Sequence, residues 1–198
     1  MTRPPPLPRH VPKKLHGAEP VGSDADPRAS IADFWSWAFS DLASNTLRGV
    51  YAEWLVARAL GLDLHLREEW AAHDLTFEDR ALEVKSSAYV QSWAQSKLST
   101  PTFDIAPTRA WSSEHGYSHD VRRQAEAYVF ALLAEKDPTR LDPLDLAQWR
   151  FFVLPTRTLD ANVGAQASIG LSSLRKLGAA EVGFEGLRDA VRAALSEG

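Results

Sequence analysis

Hydrophobic and polar positions alternate most clearly over "ALEVKSSAYV", residues 81–90. Leu82 and Val84 share one parity, Glu83 and Lys85 the other, which is the period of a strand with one buried face. Just upstream, "DLTF" opens at Asp74 and predicts a second strand, with "EDR" at 78–80 as the turn between them. A weaker strand is expected over 68–72, and another in "TFDIAP", ended by Pro107. The polar stretch 108–119 predicts a loop, and "DVRRQ" after it the start of a helix. The apolar run "AYVFALLA", 127–134, has no decisive period, but its length and β-branched and aromatic content favour a buried strand. "DPTRLDPLDL" predicts a loop and "WRFFVLPT", 149–156, a strand.

The 3.6-residue period appears on both sides of this region. "SIADFWSWAF", 30–39, reads as a short helix capped by Ser30, with Asp33 in its first turn and an apolar stripe of Ile31, Phe34, Trp35 and Ala38. "ASNTLRGVYAEWLVARALG" predicts a longer helix, capped by Ser44 or Asn45 and stopped by Gly61. Two amphipathic helices follow Gly170, in "LSSLRKLG" and "EGLRDAVRAALSEG". A helix, several strands and then helices imply an α/β sandwich around one central sheet.

Composition adjusts this picture at the N-terminus. Residues 1–29 hold seven of the twelve prolines and little apolar periodicity, so they are expected to form a mobile Pro-rich arm, with one domain over 30–198. The arm's Arg3, Arg9, Lys13 and Lys14 could touch a polyanion or simply be solvated. The chain has 198 residues, no Cys and no long apolar run. This excludes disulfides, Cys-ligated zinc and a transmembrane helix, and favours a cytoplasmic protein with no membrane partner. A net charge of −4 does not advertise nucleic-acid binding. It leaves room for a local basic cleft, because the field at a site depends on how charge is arranged.

The candidate chemistry lies on the polar face of "LEVK". On the longer helix, Glu53 has Gly49, Val50, Val56, Ala57 and Leu60 as same-face neighbours, so its carboxylate is expected to face the interior. Such a charge needs a partner or a metal. It either pairs with a buried Arg, reaches the helix edge, or joins Asp74 and Glu83. Three converging carboxylates repel one another, and a hard divalent cation relieves that repulsion. Mg²⁺ takes one or two carboxylates together with waters and phosphate oxygens. With Lys85 alongside to offset phosphate charge, the set suits metal-assisted hydrolysis of a phosphodiester. Downstream, Ser86, Tyr89 and Gln91 are candidate substrate contacts. Gln91 shares the parity of Lys85 if the strand runs on without a bulge, and is otherwise a polar residue at a strand end. Arg109, Arg122 and Arg123 are candidate phosphate clamps or ordinary solvated or paired arginines.

The pattern Asp74-x8-Glu83-Val84-Lys85, with Glu53 on the helix before it, resembles the PD-(D/E)xK nuclease superfamily. Where that family often has Pro before the Asp, this chain has His73, and residues 1–30 have no counterpart in it. The resemblance implies a restriction-endonuclease-like fold, with a central mixed β-sheet flanked by helices. It implies a Mg²⁺-dependent deoxyribonuclease, an endonuclease before an exonuclease, in which Mn²⁺ can replace Mg²⁺. Glu53, Asp74, Glu83 and Lys85 would be catalytic, with the three acids as metal ligands. DNA is the implied substrate, in restriction, phage defence or repair, and a homodimer is expected for a duplex. The alternative is a non-cleaving nucleic-acid-binding protein, or a subunit needing a partner protein for target recognition.

Overall fold

The computed structural model describes residues 10–23, 26–67, 71–112 and 116–196. It divides into two compact units, residues 1–40 and 41–198.

In the first unit, β1 (Pro20–Ser23) and β2 (Asp26–Ser30) form an antiparallel hairpin where the proline content gave no hint of strands. Strands this short tolerate Pro20 and Pro27 because a two-stranded ribbon leaves edges with no ladder partner. Helix α1 (Ile31–Phe39) follows directly. The expected cap at Ser30 is present as a capping box: its hydroxyl accepts from the Asp33 N–H, and the Asp33 carboxylate accepts from the Ser30 N–H. The expected apolar stripe is not buried: α1 buries none of its residues, and Trp37 is 83% exposed.

The second unit opens with α2 (Asn45–Leu60), which Gly61 ends in the left-handed conformation (φ 70°) that suits glycine. Strand β3 (Leu75–Phe77) and β4 (Arg80–Ala88) pair through a tight turn, in which Glu78 and Asp79 both have positive φ. The strand expected over 68–72 falls mostly outside the described residues, and Ala71 and Ala72 are not in a strand. Next come β5 (Thr102–Asp104), β6 (Thr108–Ser112), β7 (Gly116–Arg122), β8 (Ala127–Leu133) and β9 (Trp149–Pro155). The chain finishes with α3 (Thr156–Val163), β10 (Ser168–Gly170), α4 (Leu171–Lys176), β11 (Ala180–Val182) and α5 (Leu187–Ser196).

The main sheet has five strands in the order β11-β9-β8-β4-β3. It is mixed: β4 and β8 run parallel and every other neighbouring pair antiparallel. The parallel pair brings Leu82–Ala88 into register with Ala127–Leu133. All seven residues of β8 are buried, because the strand lies mid-sheet with side chains packed on both faces. That is why its sequence is a continuous apolar run rather than an alternation. On one face Ala52, Leu55, Val56 and Leu60 of α2 and Leu187 and Val191 of α5 pack with Leu82, Val84, Val129 and Phe151. On the other, Phe103, Ile105, Leu159 and Leu174 pack with Phe130, Phe152 and Leu154. The expected α/β architecture with a mixed sheet and helices is present.

The structure corrects two readings between β4 and β8. Residues 108–112 and 116–119 are not a loop: β6 and β7 form an antiparallel ribbon of their own, and the "DVRR" expected to start a helix is strand through Arg122. Thr108, Arg109, His119, Asp120, Val121 and Arg122 are exposed, so these positions carry no apolar alternation and read as polar loop. Helix α3 also went unpredicted, being eight residues long with Leu159 as its main buried anchor. Among the described residues no helix is long and apolar enough to cross a membrane.

Candidate active site

Strand alternation sets the geometry of "LEVK". Leu82 and Val84 enter the core beneath α2, while Glu83 and Lys85 emerge on the opposite face. There they line a recess of about 50 Å³ together with Ala72, Asp104, Ala106, Thr108, Gln124 and Tyr128. The Lys85 Nζ donates to Glu83 Oε1 at 2.5 Å. Their side chains are 29% and 19% exposed, so the pair is neither in bulk water nor sealed off. Burial alone would lower the Lys85 pKa; the charges of Glu83, Asp74 and Asp104 outweigh it and hold the ammonium above its ordinary value. Lys85 is therefore a fixed positive charge and donor at neutral pH, not a base.

Asp74 sits one residue before β3. Its N–H donates to Leu82 O (3.1 Å), and its Oδ2 accepts from the Val84 N–H (2.7 Å). The carboxylate thus continues the β3–β4 ladder with a side chain and is pinned to β4 between Glu83 and Lys85 in sequence. Burial first, then the Glu83 charge and more weakly Glu53, push its pKa up to about 7; the Val84 N–H and Lys85 pull the other way. A carboxyl raised this far marks a site that is desolvated first and crowded with negative charge second. Among the described residues Asp74 Oδ1 accepts no hydrogen bond.

Glu53 lies on the flank of α2, neither fully buried nor open. Both its oxygens are taken by Arg67, whose Nε and Nη2 donate at 2.5 and 2.8 Å. Of the alternatives open from sequence, pairing with an arginine is realised, although this arginine is itself partly exposed. Glu53 still acts on Asp74 through its charge. Among the described residues no group of three or more Asp, Glu or His side chains is close enough together to hold one ion.

The three candidate substrate contacts downstream are not gathered at the recess. Ser86 has the parity of Leu82 and Val84 and faces α2, where a Cβ on Gly49 would lie 3.9 Å from its hydroxyl. Tyr89 packs against the second core cluster, with the Lys136 ammonium 4.7 Å from its ring centre. Strand β4 ends at Ala88, so the parity argument does not carry to Gln91. The Gln91 side chain instead accepts from Arg48 Nη1 (3.2 Å) and donates to Ala88 O (3.0 Å). Of the three arginines, Arg123 is buried and held by Asp160 (2.6 Å) and Ile105 O (2.9 Å).

Sequence reasoning missed Asp104 and Tyr128. Asp104 ends β5 and faces the recess, its Oδ1 accepting from the Ala106 N–H (2.9 Å). Tyr128 is the β8 residue directly opposite Glu83. Burial and the Glu83 charge raise its phenol, keeping it a neutral donor. The strand register places Tyr128 once β8 is paired with β4, whereas no spacing rule brings β5 over β4. A scan against models of known protein families finds no match, and no curated protein matches the chain either.

Proposed function

We propose that the protein is a Mg²⁺-dependent deoxyribonuclease of the PD-(D/E)xK type, cutting phosphodiester bonds endonucleolytically on a restriction-endonuclease-like fold. The observation that carries this reading is the Glu83–Lys85 pair at 2.5 Å beside an Asp74 whose carboxyl is pushed up to about 7. A charged lysine held among carboxylates suits a reaction centre that handles an anionic phosphate with a cation's help. The mixed sheet, with α2 before the acid-bearing strands, supports it as well.

The donor set fits Mg²⁺. Asp74 Oδ1 and the second oxygen of Glu83 would hold the ion as two carboxylate ligands, the number Mg²⁺ commonly takes when waters and phosphate oxygens complete its shell. Mn²⁺ accepts the same oxygens. Glu53, clamped by Arg67, contributes charge rather than a ligand in this arrangement. The ion, when bound, would neutralise phosphate charge and lower the pKa of a coordinated water. The chain's own residues do the rest. The Val84 N–H fixes Asp74. Glu83 orients Lys85, and the Lys85 ammonium offers a donor to the negative charge that grows on the phosphate. The recess of about 50 Å³ is small and polar-lined, which suits a phosphate group more than a large apolar ligand.

The test is cleavage of single-stranded, duplex and branched DNA with Mg²⁺, Mn²⁺, Ca²⁺ or EDTA, by the wild type and Lys85→Ala. The expected result is cleavage with Mg²⁺ or Mn²⁺, little with Ca²⁺ and none in EDTA. Cleavage that survives EDTA, or a Lys85→Ala protein as fast as wild type, would overturn the proposal. DNA binding without cleavage under every condition favours the non-cleaving alternative.

A further inference from the structure

The ribbon of β6 and β7 starts and ends at the recess. Its first residue, Thr108, lines the recess, and so does Gln124, two residues past its end. The two are tied together, since Gln124 Nε2 donates to Thr108 O (2.8 Å) and to Arg122 O (3.1 Å). Thr108 pairs directly with Arg122 across the ribbon, and Arg109 pairs with Val121. Residues opposite each other in an antiparallel pair share a face, and neighbours along a strand do not. Arg122 therefore stands on the recess face of the ribbon, with Thr108, and Arg109 stands on the other face.

The charges set both ribbon arginines apart from many others in the chain, and the register alone separates the two. Arg67, Arg80, Arg123, Arg140, Arg175 and Arg192 each pair with a carboxylate. Arg122 and Arg109 are exposed and, among the described residues, have no carboxylate within salt-bridge distance. An exposed guanidinium with no carboxylate partner, on the recess side of the ribbon, is available to an anion, and its planar fork matches a phosphate.

We propose that Arg122 binds a backbone phosphate of a DNA strand, adjacent to the phosphate that enters the recess, so that the ribbon's recess face is a substrate-strand contact and its Arg109 face is not. The partner's identity as DNA rests on the function proposed above; the choice of Arg122 rests on register and pairing. Arg123, buried against Asp160, serves the ribbon's base and not the ligand.

The experiment measures binding of fluorescent single-stranded and duplex DNA by anisotropy across a KCl series, in a fixed low concentration of Ca²⁺. Wild type, Arg122→Ala, Arg122→Lys and Arg109→Ala are compared, with thermal melts confirming that each is folded. Arg122→Ala should reduce the slope of log affinity against log salt by about 0.7 for the single strand or about 0.9 for the duplex, one phosphate contact. Its affinity at moderate salt should fall about five- to tenfold. Arg122→Lys should keep the slope and lose part of the affinity, because the charge remains and the fork does not. Arg109→Ala should match wild type. Equal losses in Arg109→Ala and Arg122→Ala, an unchanged slope in Arg122→Ala, or no binding of either probe by wild type would each overturn the inference. A wild type that binds with this Arg122 dependence yet never cuts with Mg²⁺ ends the nuclease reading and leaves the inference standing. One that cuts, with a slope indifferent to Arg122, does the reverse.

Discussion

The two faces of β4 obey opposite rules within a few ångströms of each other. Leu82 and Val84 point beneath α2, where Leu82 is fully buried in the first core cluster. Glu83 and Lys85 point into a half-open recess, where each partner's charge is matched by a neighbour but the site as a whole is over-supplied with carboxylates. One face is optimised for folding. The other retains electrostatic tension, seen in Asp74, which folding by itself would have no reason to keep.

Substitutions on the two faces should therefore separate stability from activity. Leu82→Ala leaves a cavity in the core and should cost about 2–5 kcal/mol in denaturant titration, the largest stability effect expected here. Lys85→Ala leaves Glu83 without its partner and should cost less than Leu82→Ala, about 1–2 kcal/mol, while DNA cleavage falls on the order of 100-fold or more. The contrast breaks down if Lys85→Ala unfolds the protein or Leu82→Ala leaves its stability unchanged.

The tension at Asp74 can be read directly as a pH effect on the metal-free protein. Its folded pKa, about 7, lies above the ordinary 3.8. Between these values the folded state holds a proton that the unfolded state has released, so stability falls as pH rises through the window and levels off above it. The loss should approach about 1.4 kcal/mol per pH unit in mid-window, a total on the order of 2–4 kcal/mol. Asp74→Asn keeps an acceptor for the Val84 N–H but has no charge, so in EDTA it should lack this fall and exceed wild type in stability at pH 8. Mg²⁺ should stabilise wild type more at pH 8 than at pH 5, and Asp74→Asn little at either. Parallel pH profiles for the two proteins in EDTA would show that Asp74 carries no such tension.

How far the sequence anticipates the molecule follows the same division. Elements with one face on the core, α2, β4 and α5, carry the period of that burial and are placed close to their observed bounds. The fully buried β8 and the aromatic β9 are identified by content instead. The β6–β7 ribbon and the N-terminal hairpin pair as two-stranded ribbons outside the main sheet, and their polar or Pro-rich sequence carries no strand period. At the site, Glu83 and Lys85 follow from strand parity. The same parity already sets Ser86 apart from them, on the α2 face. Asp104 comes from β5 folding over the sheet, which depends on tertiary packing that local spacing does not encode. Gln91 was placed by extending the strand three residues past its actual end.

Gln91 supplies the finest test of the comparison, because it lies just past the end of β4 and yet serves the folding side. It accepts from Arg48, which is 4% exposed, has no carboxylate partner among the described residues, and leaves its Nε without any acceptor. The other partners of Arg48 are Ala43 O (2.9 Å) and Asn45 Oδ1 (2.7 Å), and burial presses its pKa below the ordinary value. Gln91→Ala removes one of the few acceptors a buried cation has, so it should cost about 1–3 kcal/mol in denaturant titration. Gln91→Glu forfeits the bond to Ala88 O but sets a carboxylate against Arg48. Its loss should be smaller than that of the alanine variant, since the buried charge then has a counterion. Neither change should lower the cleavage rate more than about threefold, a shift of about 0.7 kcal/mol in the barrier. A Gln91→Ala protein of wild-type stability whose cleavage collapses would return Gln91 to the substrate side, and with it the reading of β4 as a catalytic strand continuing beyond Ala88.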